Sequence, residues 1–418
     1  GGRRRGAGRD FLHGSDGAGY VGAMLAEANP LPGAPPAGAR DRPRPTDVAP
    51  SDADRARAWL EVDLAALVLN ARRVRDAAGV PLLVMVKAEA YGLGAVPVAR
   101  ALAAVDPWGY GVASAAEGAA LRAAGVRGRV VVFTPLLPDD LPRAHAAALT
   151  PTLHRAADVR RWAALGGGAW HLAVDTGMAR AGARWDALDD ALLAAARDVP
   201  PEGAYTHLHS ADEGGEDAER VRAEQVARFR AAVAQLPTRP PVLHVENGPA
   251  VERGGRSAWD LVRPGLYLYG ASCVVREGSA ALPAPEPVAH LRARVVDLRT
   301  LRDGESVSYG ATWRACGPRR IATVAAGYGD GYRRALSNRG VALVHGREAP
   351  VAGRVTMDMT MLDVTDAPCA LGDAVTLLGH DGDRVLTADA VAARAEVSPY
   401  ELLTGLRLRV PHVYRGAD

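Results

Sequence analysis

The sequence predicts an α/β protein: a (β/α)8 barrel of the TIM type followed by a mainly β carboxy-terminal domain. Three observations carry that expectation. From Trp59 to about residue 285, apolar runs of strand length alternate with alanine-rich stretches of helical spacing, roughly eight times over. The runs are apolar almost throughout, as strands of a parallel sheet covered by helices are. Past the proline-rich "LPAPEP" (282–287) the texture changes to short alternating strands broken by Gly, Asp and Pro.

In chain order, residues 1–58 come first, with "GGRRRGAG" and "NPLPGAPPAGARDRPRPTD". Proline this dense forbids regular hydrogen-bonded structure, so a disordered extension is expected. No apolar stretch of the export-signal kind follows its arginines. Acids in 41–54 offset the positive charge, which argues against a nucleic-acid tail. The barrel domain is expected over 59–286. Its strand runs are "PLLVMV" (81–86), "WGYGVAS" (108–114), "RVVVFTP" (129–135), "AWHLAVD" (169–175), "GAYTHLH" (203–209), "PVLHVEN" (241–247) and "LVRPGLYLYG" (261–270). An open doubly wound sheet would carry GxGxxG after its first strand, and none does. The β-rich domain is expected over 287–418, where "GYGDGY" has the wrong spacing and setting for a dinucleotide loop.

Composition narrows the function. A chain of 418 residues with 48% hydrophobic and 23% charged residues is an ordinary globular protein of two domains. A net charge of +2 gives no general attraction to nucleic acid or membrane. No run approaches the ~20 apolar residues of a membrane span. The 3 cysteines are far apart and without a CxxC pair, so reduced thiols in the cytoplasm and no metal site are expected.

Reactive groups of such barrels gather at the carboxyl ends of the strands. Reading those ends gives Lys87, Asp175, Arg180, His207, Asn247 and Arg263. Lys87 is the puzzle, because "VMVKAEAYGLG" (84–94) puts an ammonium at the end of an apolar run, where burial is costly. A lone strand-end lysine is commonly a solvated loop charge. In this company, a lysine held uncharged as an imine to a carbonyl cofactor removes the cost. Pyridoxal 5'-phosphate fits, needing a lysine, a phosphate cradle and a partner for its ring nitrogen. "RPGLYLYG" offers glycine and free amides after a strand.

"VMVKAEAYGLG" resembles the pyridoxal-phosphate signature of the alanine racemase family. So do "WLEVDLAALVLN" (59–70), "VDTGMARAG" (174–182), "THLHSADE" (206–213), "VRPGLYLYG" (262–270), "ESVSYGATW" (305–313), "GYGDGYRRALSNRG" (327–340), "GREAPVAGRVTMD" (346–358) and "RVPHVY" (409–414), in the family's order. The resemblance covers nearly all of 59–415. It implies a barrel plus a β domain in a homodimer with shared active sites, racemising L- and D-alanine for peptidoglycan. It implies that Lys87 carries the cofactor and serves one face of the substrate, while Tyr309 of the neighbouring subunit serves the other. By the same resemblance Arg263 meets the pyridine nitrogen, and Tyr91, Gly265 and Leu266 contact the phosphate. His207 and His244 lie beside the cofactor and support Arg263. Arg180 and the Met357 amide hold the substrate carboxylate, and Tyr328 and Asp358 line the entrance.

Several positions depart from the family. Asn247 is followed by Gly248 where a phosphate-binding serine is common, leaving an amide in place of a hydroxyl. Leu408 stands where many members have a tyrosine, Ala173 where some carry a carbamylated lysine behind the substrate arginine, and Leu93 and Glu246 are also unusual. These departures put the substrate in play. The alternatives are a racemase of another amino acid in a specialised pathway, or a weakly active or non-catalytic homologue. A fold-related decarboxylase is disfavoured by the absence of its cysteine-bearing loop, and a small cofactor-carrier protein by the presence of a β domain.

Overall fold

The computed structural model of the chain describes residues 56–274, 281–406 and 409–416. The extension up to residue 55 and the unusual Leu408 lie outside the described residues. The chain does not enter the barrel first. Strand β1 (Ala58–Asp63) runs antiparallel to a long strand far along the chain, pairing Leu60 with Leu291, and parallel to His412–Arg415. Its apolar residues Trp59, Leu60 and Val62 are buried there. Asp63 then caps helix Leu64–Ala78 by accepting from Ala66 N at 2.8 Å, and Gly79 ends it at φ 66°.

The barrel follows. Strands β2 (Leu83–Met85), β3 (Gly109–Val112), β4 (Arg129–Val132), β5 (Thr150–Leu153) and β6 (His171–Asp175) pair in order and in parallel. The two-residue β7 (Ala183–Arg184) pairs beside the end of β6, and β8 (Gly203–Tyr205) and β9 (Val242–His244) continue the ring. The eighth position is the segment around 262–263, reduced to parallel bridges Asn247–Arg263 on one side and Leu82–Val262 on the other. Those two bridges close the (β/α)8 ring. Strand β5 is absent from the sequence reading because Pro151 sits inside it, and a proline ordinarily demotes a strand. Here its neighbours Thr150 and Thr152 are buried and keep the strand in the ring.

The remaining chain builds a 9-stranded sheet around β10 (Ala289–Leu301), which pairs with β1, Arg319–Val324 and Ala374–Asp381. The parts are bolted together by buried polar contacts. Asn70, fully buried, donates to Glu286 O at 2.8 Å and accepts from Glu286 N at 2.9 Å, tying the first helix to the approach of β10. Helix Pro399–Thr404 packs back on the barrel mouth, where a side chain on Gly92 would meet Leu403 O at 2.5 Å.

Two outcomes test these supports. Asn70→Ala orphans both backbone groups of Glu286, and should lower the urea-unfolding free energy by about 2–4 kcal/mol against less than about 0.5 for the exposed Arg72→Ala. In the carboxy-terminal sheet, burial pushes His290 down from 6.5 to about 3, so it stays neutral in the fold. Its stabilising effect is complete above 6.5 and drains as the pH falls towards 3, because the unfolded chain takes up the proton first. His290→Gln should flatten that acid limb in a series of thermal melts.

Candidate active site

The carboxyl ends of the barrel strands surround a cleft of about 330 Å³. Lys87 stands at its floor, directly after β2, at the head of a backbone turn few sequences adopt. Ala88, Glu89, Ala90 and Tyr91 all lie in the left-handed region, with φ between 51° and 58°. Each such residue costs roughly 1–2 kcal/mol in an L-amino-acid chain. Local contacts hold the turn. Glu117 accepts from Ala88 N at 2.9 Å and from Ala113 N at 2.7 Å, and Gly94 N donates to Glu89 O at 2.8 Å. Tyr91 stacks on Tyr269 at 4.6 Å, and Tyr269 is fixed by its own hydroxyl donating to Met85 O at 2.7 Å. Burial, then the Arg180 guanidinium, pull the Lys87 ammonium below the ordinary lysine range, against a smaller opposing pull from Glu117.

Arg263 lines the same cleft as Lys87 and is 4% exposed. Its Nη1 donates to His244 Nδ1 at 3.1 Å and to His244 O at 2.8 Å. Its Nη2 donates to Thr206 O and Val245 O, both at 2.8 Å. A guanidinium has five N–H groups, so Nε–H is the donor left for a ligand. Burial lowers Arg263 to about 10, which leaves it cationic at neutral pH.

Between these two ends lies a glycine cradle. A side chain on Gly265 would strike the Tyr91 hydroxyl at 2.4 Å, and one on Gly248 would sit 3.7 Å from Gly265 N. Asn247 caps helix Gly248–Gly254 by accepting from Ala250 N at 3.3 Å, and donates to Leu208 O at 3.3 Å. Burial raises Tyr91, so it remains a phenol able to donate. His207 lines the cleft and is pushed to about 3 by burial, with Arg263, Arg180 and Lys87 adding repulsion, so it is neutral. Phe133 and Tyr205 form a wall, edge to face at 5.1 Å. The cradle, the lysine and a donor held opposite match the needs of pyridoxal phosphate.

Arg180 sits on the loop after β6. Asp175 shapes that loop by accepting from Gly177 N at 2.9 Å and Ala179 N at 3.1 Å. Among the described residues no carboxylate pairs with Arg180. Ala173 opens instead into an adjoining chamber of about 370 Å³ that also touches Lys87 and Arg180.

The structure brings together Lys87, Tyr91, Arg180, His207, Asn247, Gly248, Arg263 and Gly265. His244 does not line the cleft; it lies behind Arg263 as its support. The Leu266 side chain is core, leaving its amide alone to act. The Glu246 side chain does not line the cleft either. Tyr309, Tyr328, Met357 and Asp358 are in the carboxy-terminal sheet domain, exposed, and line no part of this chain's own cleft. Tyr309 is 71% exposed on a turn with Ser308 at φ 63° and Gly310 at φ 72°, and the Arg354 guanidinium lies against Gly310. The Met357 N–H has no intrachain backbone partner among the described residues. Sequence reasoning missed Phe133, Tyr205, Cys273 and Tyr400. Tyr205 alternates with His207 at a strand end, a usable signal; Tyr400 reaches the cleft from more than a hundred residues past the barrel, with none.

The family model for the alanine racemase N-terminal domain matches residues 62–273, and that for the C-terminal domain matches 288–414. The chain is 35% identical over 375 residues to the alanine racemase of Symbiobacterium thermophilum, covering 86% of this chain and 97% of that one. It is similar to the crystal structure of alanine racemase from Bacillus anthracis with bound L-Ala-P, at TM-score 0.78 and 30% identity over 87% of this chain and 96% of that one. The Bartonella henselae alanine racemase with covalently bound pyridoxal phosphate follows at TM-score 0.74 and 26% identity, covering 86% and 99%. The chain belongs to the alanine racemase family.

Proposed function

We propose that the chain is a pyridoxal-phosphate-dependent isomerase that interconverts L- and D-alanine with two bases on opposite faces of the α-carbon. The observation that carries this reading is one cleft lined by a half-buried lysine, a buried guanidinium whose Nη groups are all engaged while its Nε–H is left for a ligand, and a glycine cradle. The relatives named alanine racemase support the substrate, and the Bartonella henselae structure supports the cofactor.

Lys87 would carry the cofactor covalently, Gly248, Gly265, the Leu266 amide and Tyr91 would hold its phosphate, and Arg263 Nε–H would meet its ring nitrogen. When bound, pyridoxal phosphate takes up the electron pair released as the α C–H bond breaks. Arg263 gives a hydrogen bond but keeps its proton at neutral pH, so that ring nitrogen stays unprotonated and the electron demand stays moderate. That favours returning a proton to the α-carbon over side reactions. Lys87 Nζ, once the substrate amine has displaced it and burial and Arg180 have eased it towards its neutral form, would take and return a proton on one face. Arg180 pairs with the substrate carboxylate, and neutral His207 packs beside it without competing for the proton.

The opposite face needs Tyr309, which the chain exposes away from its own cleft. In this reading a homodimer lends Tyr309 and the Met357 amide to the neighbouring cleft, with Tyr328 and Asp358 at its entrance. The domain spanning 287–418 thus completes the partner's site, the barrel within 59–286, entered only after β1, holds the cofactor, and 1–58 is an extension. The role in D-alanine supply for peptidoglycan in the cytoplasm belongs to the same proposal; the described residues contain no helix long and apolar enough to cross a membrane.

A second reading, racemisation of a larger amino acid, is favoured by the chamber that Ala173 opens beside Lys87 and Arg180. Incubating the protein with single L-amino acids in deuterated water decides between them. Deuterium wash-in and loss of optical purity confined to alanine supports the first reading; faster exchange in a bulkier amino acid replaces it. Lys87→Ala should remove the visible absorption of lysine-bound cofactor, and a retained band would strip Lys87 of its role. Tyr309→Phe should cut kcat at least about a hundredfold while cofactor loading holds; parallel loss of loading would make the tyrosine structural.

A further inference from the structure

Behind Arg263 a line of buried polar groups runs down through the barrel to its opposite end. His244, the last residue of β9, places Nε2 at 2.8 Å from Nδ1 of His171, the first residue of β6. Both imidazoles are fully buried. His171 Nε2 in turn faces Glu202 Oε2 at 3.5 Å, just before β8. That separation is long for a hydrogen bond, yet both atoms are buried and neither has another partner among the described residues. Each is the other's natural complement. The other Glu202 oxygen is gripped by Arg129 through Nε at 3.1 Å and Nη2 at 2.8 Å, and that guanidinium lies 4.6 Å over the Trp108 ring, itself 5.6 Å from the His171 ring.

The protons along this line have one consistent arrangement. A guanidinium only donates, so His244 Nδ1 must accept from Arg263. A neutral His244 then carries its proton on Nε2 and donates it to His171 Nδ1. His171 carries its own on Nε2, aimed at the carboxylate.

We propose that Glu202, His171 and His244 form a directional hydrogen-bond relay that fixes the orientation of Arg263, with Glu202 and His171 acting as positioning residues about one barrel height from the cleft. The relay commits Arg263 Nη1, so that Nε–H alone is presented to a ligand. Its effect on racemisation rests on the reading above, in which Arg263 meets the cofactor ring; the proton arrangement rests on the geometry alone.

The test is nitrogen NMR on the full-length protein labelled at histidine, with and without pyridoxal phosphate, reading the tautomers of His171 and His244. Both should be neutral with the proton on Nε2, and a proton on Nδ1 of either overturns the relay. Glu202→Gln keeps the shape, but its amide faces His171 Nε2 as a donor and should reverse both tautomers, setting His244 Nδ1–H against Arg263. Its kcat should fall about tenfold with KM held within about twofold. Unchanged tautomers in Glu202→Gln sink the relay even if activity falls. A wild-type chain with the expected tautomers that fails to take up pyridoxal phosphate supports the relay and removes the functional reading instead.

Discussion

A guanidinium buried in the barrel mouth with no carboxylate in ion-pair contact among the described residues is the constraint on which the site depends. Removing an unpaired cation from water is expensive, and Arg263 meets that expense with hydrogen bonds rather than an ion pair. Three of its four Nη contacts are backbone carbonyls, those of Thr206, His244 and Val245. Those carbonyls are free because β8 and β9 stop at Tyr205 and His244. The short strands that make the ring look ragged are therefore what allow the cation to be held. A partner carboxylate would satisfy it more strongly but would also screen its charge from whatever sits in the cleft. Neutral acceptors keep the whole positive charge available.

Opposite it, the chain accepts backbone strain to place Lys87. Four consecutive residues in the left-handed region, none of them glycine, cost several kcal/mol in sum. Such a turn persists because groups on all sides over-determine it: Glu117 beneath, Tyr269 behind, and helix Pro399–Thr404 above. Its geometry turns Tyr91 back beside Gly265 while Lys87 points into the cleft. An ordinary right-handed helix would carry Tyr91 round to another face. The strain thus sets the spacing between the lysine and the glycine cradle, and it ties the cleft to a helix of the carboxy-terminal part.

The barrel and most of its mouth were legible in the sequence because one physical rule generated both. A polar residue ending an apolar run has to be solvated or used; Lys87, Asp175, His207, Asn247 and Arg263 satisfy that description, and Arg180 follows on the loop after Asp175. What the rule missed lies where it has no purchase. Strand β5 was hidden by Pro151, and β1 was read with the barrel because nothing local shows that its partner is β10. His171 and Glu202 sit at the opposite strand ends, where chemistry is not expected. The left-handed turn was invisible because "AEAY" contains no residue that announces it. Tyr309 and Met357 enter the reading only through family resemblance, since an exposed side chain on a β surface carries no signal of its own.

The departures from the family read differently once the loop after β6 is seen. By the family resemblance some members carry a lysine where this chain has Ala173, and on sequence alone Arg180 has no such side chain behind it. The structure supplies a backbone answer. Asp175 draws the amides of Gly177 and Ala179 inward, and Gly182, at φ 125°, closes the turn so tightly that a side chain there would lie 2.7 Å from Asp175 N. Thr176 locks against Thr206 at 2.7 Å, with Gln225 donating to Thr176 Oγ1 and to His207 O, both at 3.1 Å. Thr206 O is also one of the acceptors of Arg263. The loop that carries Arg180 and the guanidinium of Arg263 are therefore both tied to Thr206, the loop through the Thr176–Thr206 hydroxyl contact and the guanidinium through Thr206 O, so that one residue helps to keep their spacing.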